Sequence, residues 1–290
     1  MCYIFIISFG YSQVTNEHLY NGASSLSMAG SDVAFKNATW SIFINPAGLA
    51  EENVLSVVHS TESIFGLSIF QHSQTGVGFS LPTIGKVGLS LDHFSANYQG
   101  RSISEETSMG FHHGLALQKD NNSTLLFGYS IRLQRLALGL SAGNTGDGSD
   151  GIDLGTHSSL GMDIGFLATL RDRFRFGSMV YNINQPQIGA SSSTVDLPRR
   201  LRLGIAYSPY DLVWTTMGLS RSVGHLSQIS SGIRYEILDG VYLRSGIQTN
   251  PNRFGSGMSY NWRKFTFTYG FLTHPILGLT QQFSFEFTRL

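Results

Sequence analysis

From residue 53 onward the chain alternates between apolar and polar side chains over long, evenly spaced segments. Phe265, Phe267, Tyr269 and Phe271 alternate with Thr266, Thr268 and Gly270, and Phe283, Phe285 and Phe287 alternate with Ser284, Glu286 and Thr288. Leu201, Leu203, Ile205 and Tyr207 alternate in the same way with Arg200, Arg202, Gly204 and Ala206. Successive side chains of a strand point to opposite faces, so each segment has one apolar and one polar face. A soluble β-sandwich also alternates. The difference lies in length and number: these segments run about 9–12 residues each, the length a tilted strand needs to cross a bilayer.

Composition supports the membrane reading. Charged residues are 13% of the 290-residue chain, about half of the roughly 25% usual in a soluble domain. Glycine is abundant, with 33 residues, and aromatics reach 12%. No apolar run beyond the N-terminus is long enough for a membrane helix. Lysine and arginine balance aspartate and glutamate at 19 each, so the basic surplus of a nucleic-acid binder is missing and no nucleic-acid partner is expected. Cys2 is the one cysteine, so no intrachain disulfide can form. Lipid offers no hydrogen bonds to an open sheet edge, so a bilayer-spanning sheet must close. The expected fold is therefore all-β: a transmembrane antiparallel β-barrel of about 14 strands, in the outer membrane of a Gram-negative bacterium, with outer-membrane lipid around it.

The spacing predicts strands starting near Asn53, Gly76, Gly85, Glu106, Ser123, His157, Arg173, Arg199, Leu212, Ser227, Val241, Arg253, Lys264 and Thr280. Turn chemistry such as Asp239-Gly240 separates them. Longer polar stretches at Ser95–Glu106, Ser141–Gly155 and Asn184–Pro198 predict the longer loops of one rim. Glu62–Gln74 is ambiguous between an extra strand and a short apolar helix. Ahead of the barrel (residues 53–290), residues 1–12 read as a signal peptide without the usual basic start, or else as a short buried strand. Residues 13–52 form a separate small-residue segment.

The chemistry-bearing motifs are weak. Gly139-Leu-Ser-Ala-Gly143 fits G-x-S-x-G, but a loop follows it where a nucleophile elbow needs a helix. Asp147, Asp150 and Asp153 lack EF-hand spacing, and the nine histidines show no zinc-ligand spacing. No cofactor, no metal and no enzymatic activity are expected. The polar parity carries Arg132, Asp163, Arg173, Arg175, Arg200, Arg202, Arg234, Glu236, Arg244 and Glu286. Charges in a membrane barrel must avoid lipid, so these face the lumen. They either neutralise one another across a narrow barrel or line a path. Arg132, Arg200, Arg202, Arg234, Glu236 and Arg244 are the candidate ligand or lumen set. A carboxylate-headed amphiphile would suit Arg200, Arg202 and Arg244, because guanidinium grips carboxylate with two prongs.

The N-terminal segment carries a family resemblance. Gly22, Ala23, Leu26, Met28 and Gly30, followed by Asn45-Pro-Ala-Gly-Leu-Ala50, resemble the FadL-like outer-membrane family and its PorV/PorQ-type relatives, with Ala29 in place of a glycine. The resemblance implies a fourteen-stranded barrel with this segment inside it as a plug, built on Gly22, Leu26, Met28, Gly30, Asn45 and Pro46. The small residues suit a strand or turn threading a tight lumen, and Asn45-Pro46 suits a turn into the first membrane strand. The implied functions are binding or transport of a hydrophobic or amphipathic small molecule, or partnership with secretion-system proteins in type IX secretion; an outer-membrane enzyme is the minor alternative.

Overall fold

A computed structural model of the chain describes residues 20–35, 38–51, 55–81, 85–141, 143, 150–190 and 193–289. The signal-peptide reading of residues 1–12, the start of the N-terminal segment and Asp147 lie outside the described residues.

Fourteen strands close into one antiparallel barrel. They are β1 (Ser56–Ser63), β2 (Phe70–Leu81), β3 (Gly85–Tyr98), β4 (Arg101–Lys119), β5 (Ser123–Leu138), β6 (Thr156–Leu170) and β7 (Phe174–Tyr181). After a small hairpin, β8 (Gln187–Ala190) and β9 (Ser193–Asp196), the wall resumes with β10 (Arg200–Tyr210), β11 (Val213–Ser222) and β12 (Gln228–Leu238). It ends with β13 (Val241–Gln248), β14 (Arg253–Trp262), β15 (Phe265–Leu272) and β16 (Thr280–Thr288). Closure is made by β1, in which Ser56 lies opposite Gly78 of β2 on one side and Thr288 of β16 on the other.

The alternation sorts as the sequence requires. Leu203, Ile205, Met217 and Phe283 point outward and are exposed, while Arg202, Ala206, Thr216 and Ser284 on the same strands are buried inside. A cross-strand aromatic ladder covers the outer wall of β15 and β16, with Phe267–Phe285 centroids 5.5 Å apart and Tyr269–Phe283 4.8 Å apart. Two- and three-residue turns, such as Asp239-Gly240 and Asp120–Asn122, join strands on one rim; the connections 139–155 and 182–199 stand on the other. In an outer-membrane barrel the short turns face the periplasm and the long loops face outward. The chain is such a barrel.

Three local expectations need correction. Strand β2 starts at Phe70 rather than near Gly76, and β4 at Arg101 rather than near Glu106. The polar stretch Ser95–Glu106 is consequently no long loop. Strands β3 and β4 run on past the membrane and meet at Gln99-Gly100, both with positive φ, because serines, threonines and charges are well tolerated in a strand that stands in water. Glu62–Gln74 divides into the end of β1, a 3-10 turn at Ile64–Gly66 and the start of β2.

The described part of the N-terminal segment, residues 20–35 and 38–51, lies inside the barrel. It forms helix α1 (Gly22–Ser27), a reversal at Ala29 and Gly30, helix α2 (Ser41–Ile44) and a 3-10 turn, Pro46–Glu51. Gly22–Gly30 is thus mainly helical and not a threading strand. So short a helix leaves its first N–H groups without partners of its own, and wall side chains accept two of them, those of Gly22 and Ala23. Pro46 opens the 3-10 turn, where its missing N–H costs nothing, and β1 begins only at Ser56.

Glycine makes the room. Directly opposed pairs on neighbouring strands, Gly114–Gly128, Gly177–Gly204 and Gly232–Gly246, form a belt around the lumen at the height of the plug. A Cβ at Gly128 would overlap the Pro46–Ala47 peptide, and one at Gly246 would overlap Met28. The excess of glycine therefore serves close approach of two backbones.

Candidate functional site

The plug is tied to the wall by polar contacts from many strands. Ser284 Oγ accepts the Ala23 N–H at 2.7 Å, and Gln74 Oε1 accepts the Gly22 N–H at 3.2 Å. Ser31 and Thr216 share a hydroxyl hydrogen bond of 2.7 Å. Asn45 Nδ2 lies within hydrogen-bond reach of the carbonyls of Phe166 (3.0 Å) and Val33 (3.2 Å), and its Oδ1 accepts the Ala47 N–H at 3.2 Å. Asn45 is a clamp between plug and wall, and Leu26 and Met28 are among the most deeply buried side chains of the protein.

The six candidate lumen residues fall into three levels. Arg132 and Arg200 lie on the long-loop side of the plug. Arg132 grips Asp163 with two hydrogen bonds, 2.6 and 2.9 Å, and donates a third to Asn182 at 3.2 Å. Arg200 donates to Ser222 at 3.0 Å and, like Arg132, stands 5.8 Å from the ring of Tyr181. Arg202 belongs to the plug level: its guanidinium donates to the Gly30 carbonyl at 2.7 Å and to the buried Asp32 carboxylate at 2.9 Å. Arg234, Glu236 and Arg244 lie on the short-turn side. Arg234 stacks 4.7 Å from Phe35 of the plug and 5.0 Å from Tyr242. Arg244 donates to Ser259, and Glu236 accepts the Gly240 N–H at 3.3 Å in the adjoining turn. The structure therefore does not bring Arg200, Arg202 and Arg244 together around one head group. Arg173, expected inside, sits at the short-turn rim instead, 3.7 Å from exposed Asp211.

Below the plug the cations meet aromatic faces. Arg175 stands 5.3 Å from the ring of Trp214 and 3.5 Å from Glu51 of the plug, and Trp214 packs edge-on against Phe35 at 5.8 Å. Trp214 and Tyr242 share the inward parity of Arg234, which is the signal that could have marked them. Stacked guanidinium groups are held by ring quadrupoles and shed part of their water, so this level is a packed floor.

Above the plug lies a chamber of about 90 Å³. Ile42, Phe43, Met179 and Leu197 give it apolar lining, and Asp92, His112, Arg132, Asp163 and Arg200 give it polar lining. Leu197 and Pro198 come from the 182–199 connection, whose hairpin folds inward so that Ile188 packs on Leu136. A wider vestibule of about 580 Å³ opens beside it toward the long loops, lined by Tyr20, Phe65, Leu226 and Arg253. Arg200 lines both spaces.

A polar chain that the sequence reading missed holds the chamber's edge. His72 Nδ1 lies 2.5 Å from Glu62 and its Nε2 lies 3.2 Å from Asp92. Both ring nitrogens face carboxylates, an arrangement that the doubly protonated ring satisfies. Gln74 donates to Asp92 at 2.8 Å and to Asn21 of the plug at 2.9 Å. Placing β2 at Gly76 hid this chain; a start at Phe70 puts His72 and Gln74 on the inward parity.

The G-x-S-x-G serine, Ser141, lies in the connection after β5, where its hydroxyl accepts the Ile152 N–H at 2.9 Å. Asp153 Oδ1 accepts the Gly155 N–H at 2.9 Å. Among the described residues no three His, Cys, Asp or Glu side chains cluster to hold a metal ion.

Comparison with solved structures agrees on the fold. The chain is similar to the toluene transporter TbuX of Ralstonia pickettii, with 13% identity and a TM-score of 0.61 over 94% of this chain and 99% of that one. It is similar to CymD, a monoaromatic hydrocarbon channel, at 12% identity and TM-score 0.64 over 95% and 99%. A FadL homologue of Pseudomonas aeruginosa aligns at 11% identity and TM-score 0.57 over 92% and 98%. The expected FadL-like architecture is thus the observed one. No curated protein matches the sequence. The family described as "F plasmid transfer operon, TraF, protein" matches residues 29–219. That match takes in more than half of the chain, running from the plug through β11, and the chain belongs to this family.

Proposed function

We propose that this barrel carries a small hydrophobic or amphipathic molecule across the outer membrane. The observation that carries the reading is the mixed lining of the chamber above the plug. Ile42, Phe43, Met179 and Leu197 line it together with Arg132, Asp163 and Arg200. Apolar lining with a few convergent polar groups is how small-molecule pockets combine affinity with orientation. The reading is supported by the fold shared with barrels described as toluene transporters and monoaromatic hydrocarbon channels. The chamber is small, so a ligand the size of one aromatic ring enters by displacing water and shifting the inward-folded hairpin or the plug. Secretion partnership has no counterpart in these relatives.

The test is uptake. Cells lacking their own hydrocarbon channels and expressing this chain should accumulate radiolabelled toluene faster than cells expressing the Phe43→Asp variant, which places a carboxylate in the chamber's apolar lining. Equal uptake by wild type, variant and vector control, with all barrels assembled, would overturn the proposal.

A further inference from the structure

On the outer wall, near the long-loop rim, two arginines stand together. Arg200 and Ser222 point into the lumen, where they share a hydrogen bond, so alternation turns Arg199 and Arg221 outward. Leu201 lies directly opposite Arg221, and the Val223 N–H donates to the Arg199 carbonyl at 3.1 Å. Arg199 and Arg221 are therefore diagonal neighbours across β10 and β11, within joint reach of one anion. They line a shallow groove with Val180, Leu201 and Val223, and no carboxylate is among its lining residues. Among the described residues neither guanidinium has an ion-pair or side-chain hydrogen-bond partner.

What lies below the pair names the ligand. Leu201, Leu203 and Ile205 on β10, and Leu219 and Met217 on β11, continue down the same face and are all exposed. From Arg199 to Ile205 is roughly 20 Å of strand. At the tilt of a membrane barrel this is about 15 Å of depth, half the hydrocarbon core. The face thus has a cationic head site at the outward boundary and an apolar column one leaflet deep. Guanidinium binds phosphate with two parallel hydrogen bonds and is weakly hydrated, which suits a site at a membrane surface. We propose that Arg199 and Arg221, set above this apolar column, form an outer-leaflet binding site for a phosphorylated glycolipid. The phosphate sits between the guanidinium groups and the acyl chains lie along Leu201, Leu203 and Leu219. The site is on the lipid side of the wall and does not depend on what passes through the lumen.

The experiment is lipid binding by the intact barrel in mild detergent, read by native mass spectrometry with diphosphoryl lipid A as the probe. Each arginine is expected to contribute about fivefold in affinity. Arg199→Gln with Arg221→Gln should therefore weaken binding about 25-fold, while Arg199→Lys with Arg221→Lys recovers part of it. Arg171→Gln with Arg263→Gln, at the opposite rim, should leave binding unchanged. Heat-modifiable migration on gels verifies that each variant is assembled. Wild-type protein binding fully dephosphorylated lipid A as tightly as the diphosphoryl form would overturn the proposal without any variant. So would unchanged binding in the double glutamine variant. Full displacement of the lipid by millimolar inorganic phosphate would reassign the pair as a free-anion site and overturn the lipid assignment.

Discussion

On β10, Leu203 and Ile205 face outward and meet whatever hydrocarbon surrounds the barrel, while Arg202 and Gly204, which alternate with them, meet particular atoms of the plug. Arg202 holds the Gly30 carbonyl and Asp32, and a Cβ at Gly204 would press on Val33. The same contrast runs round the barrel. Outward positions need only be apolar, because fluid lipid adapts to any shape. Inward positions are fitted to a solid neighbour, where a single methyl group is felt. Tolerance to substitution should therefore follow parity, and its cause should differ between the faces.

The largest effect is expected from removing what the inner face is fitted to. Deleting Gly22–Gly30 should leave a barrel that inserts and conducts ions in planar bilayers several-fold better than wild type. Unchanged conductance in an assembled barrel would mean that the segment does not close the lumen. Gly128→Val comes next, because its side chain must overlap the Pro46–Ala47 peptide and backbone cannot yield as a side chain can. The heat-modifiable form should be lost, whereas Gly100→Val, where a Cβ meets nothing within 4 Å, should only strain its turn.

Arg202→Met should destabilise the plugged state by roughly 3–5 kcal/mol, since Asp32 is left buried and unpaired. Adding Asp32→Leu should recover much of the loss, and urea midpoints of the two variants measure it. Leu203→Arg should cost about 2–4 kcal/mol for a charge near the lipid midplane, reported by the same midpoints. Smallest of all, Leu203→Phe should shift the midpoint by less than ~1 kcal/mol, as expected for an apolar exchange against a fluid. A large loss from Leu203→Phe would erase the contrast between the faces.

Much of this was readable from the chain. Period-two alternation is a local property of an extended backbone, so parity, strand number and the need for closure follow from neighbouring residues alone. Alternation alone puts Arg132, Arg200, Arg202, Arg234, Glu236 and Arg244 on the polar parity of their strands. Asn45-Pro46 and Gly22–Gly30 were legible as a distinct segment because their composition departs from the alternating pattern. Which inner residues meet was decided by the tertiary structure. Partners such as Arg132 and Asp163, or His72, Glu62 and Asp92, are set by the stagger between strands, which depends on every turn and bulge around the barrel. The plug then divides the lumen, so arginines of one parity become a chamber wall, an anchor and a stacked floor. Its helix at Gly22–Ser27 likewise belongs to the assembled state: six residues, three of them serine, are too short to hold a helix in water. They hold one here because Gly255, Gly257 and Gly270 let the wall come against them.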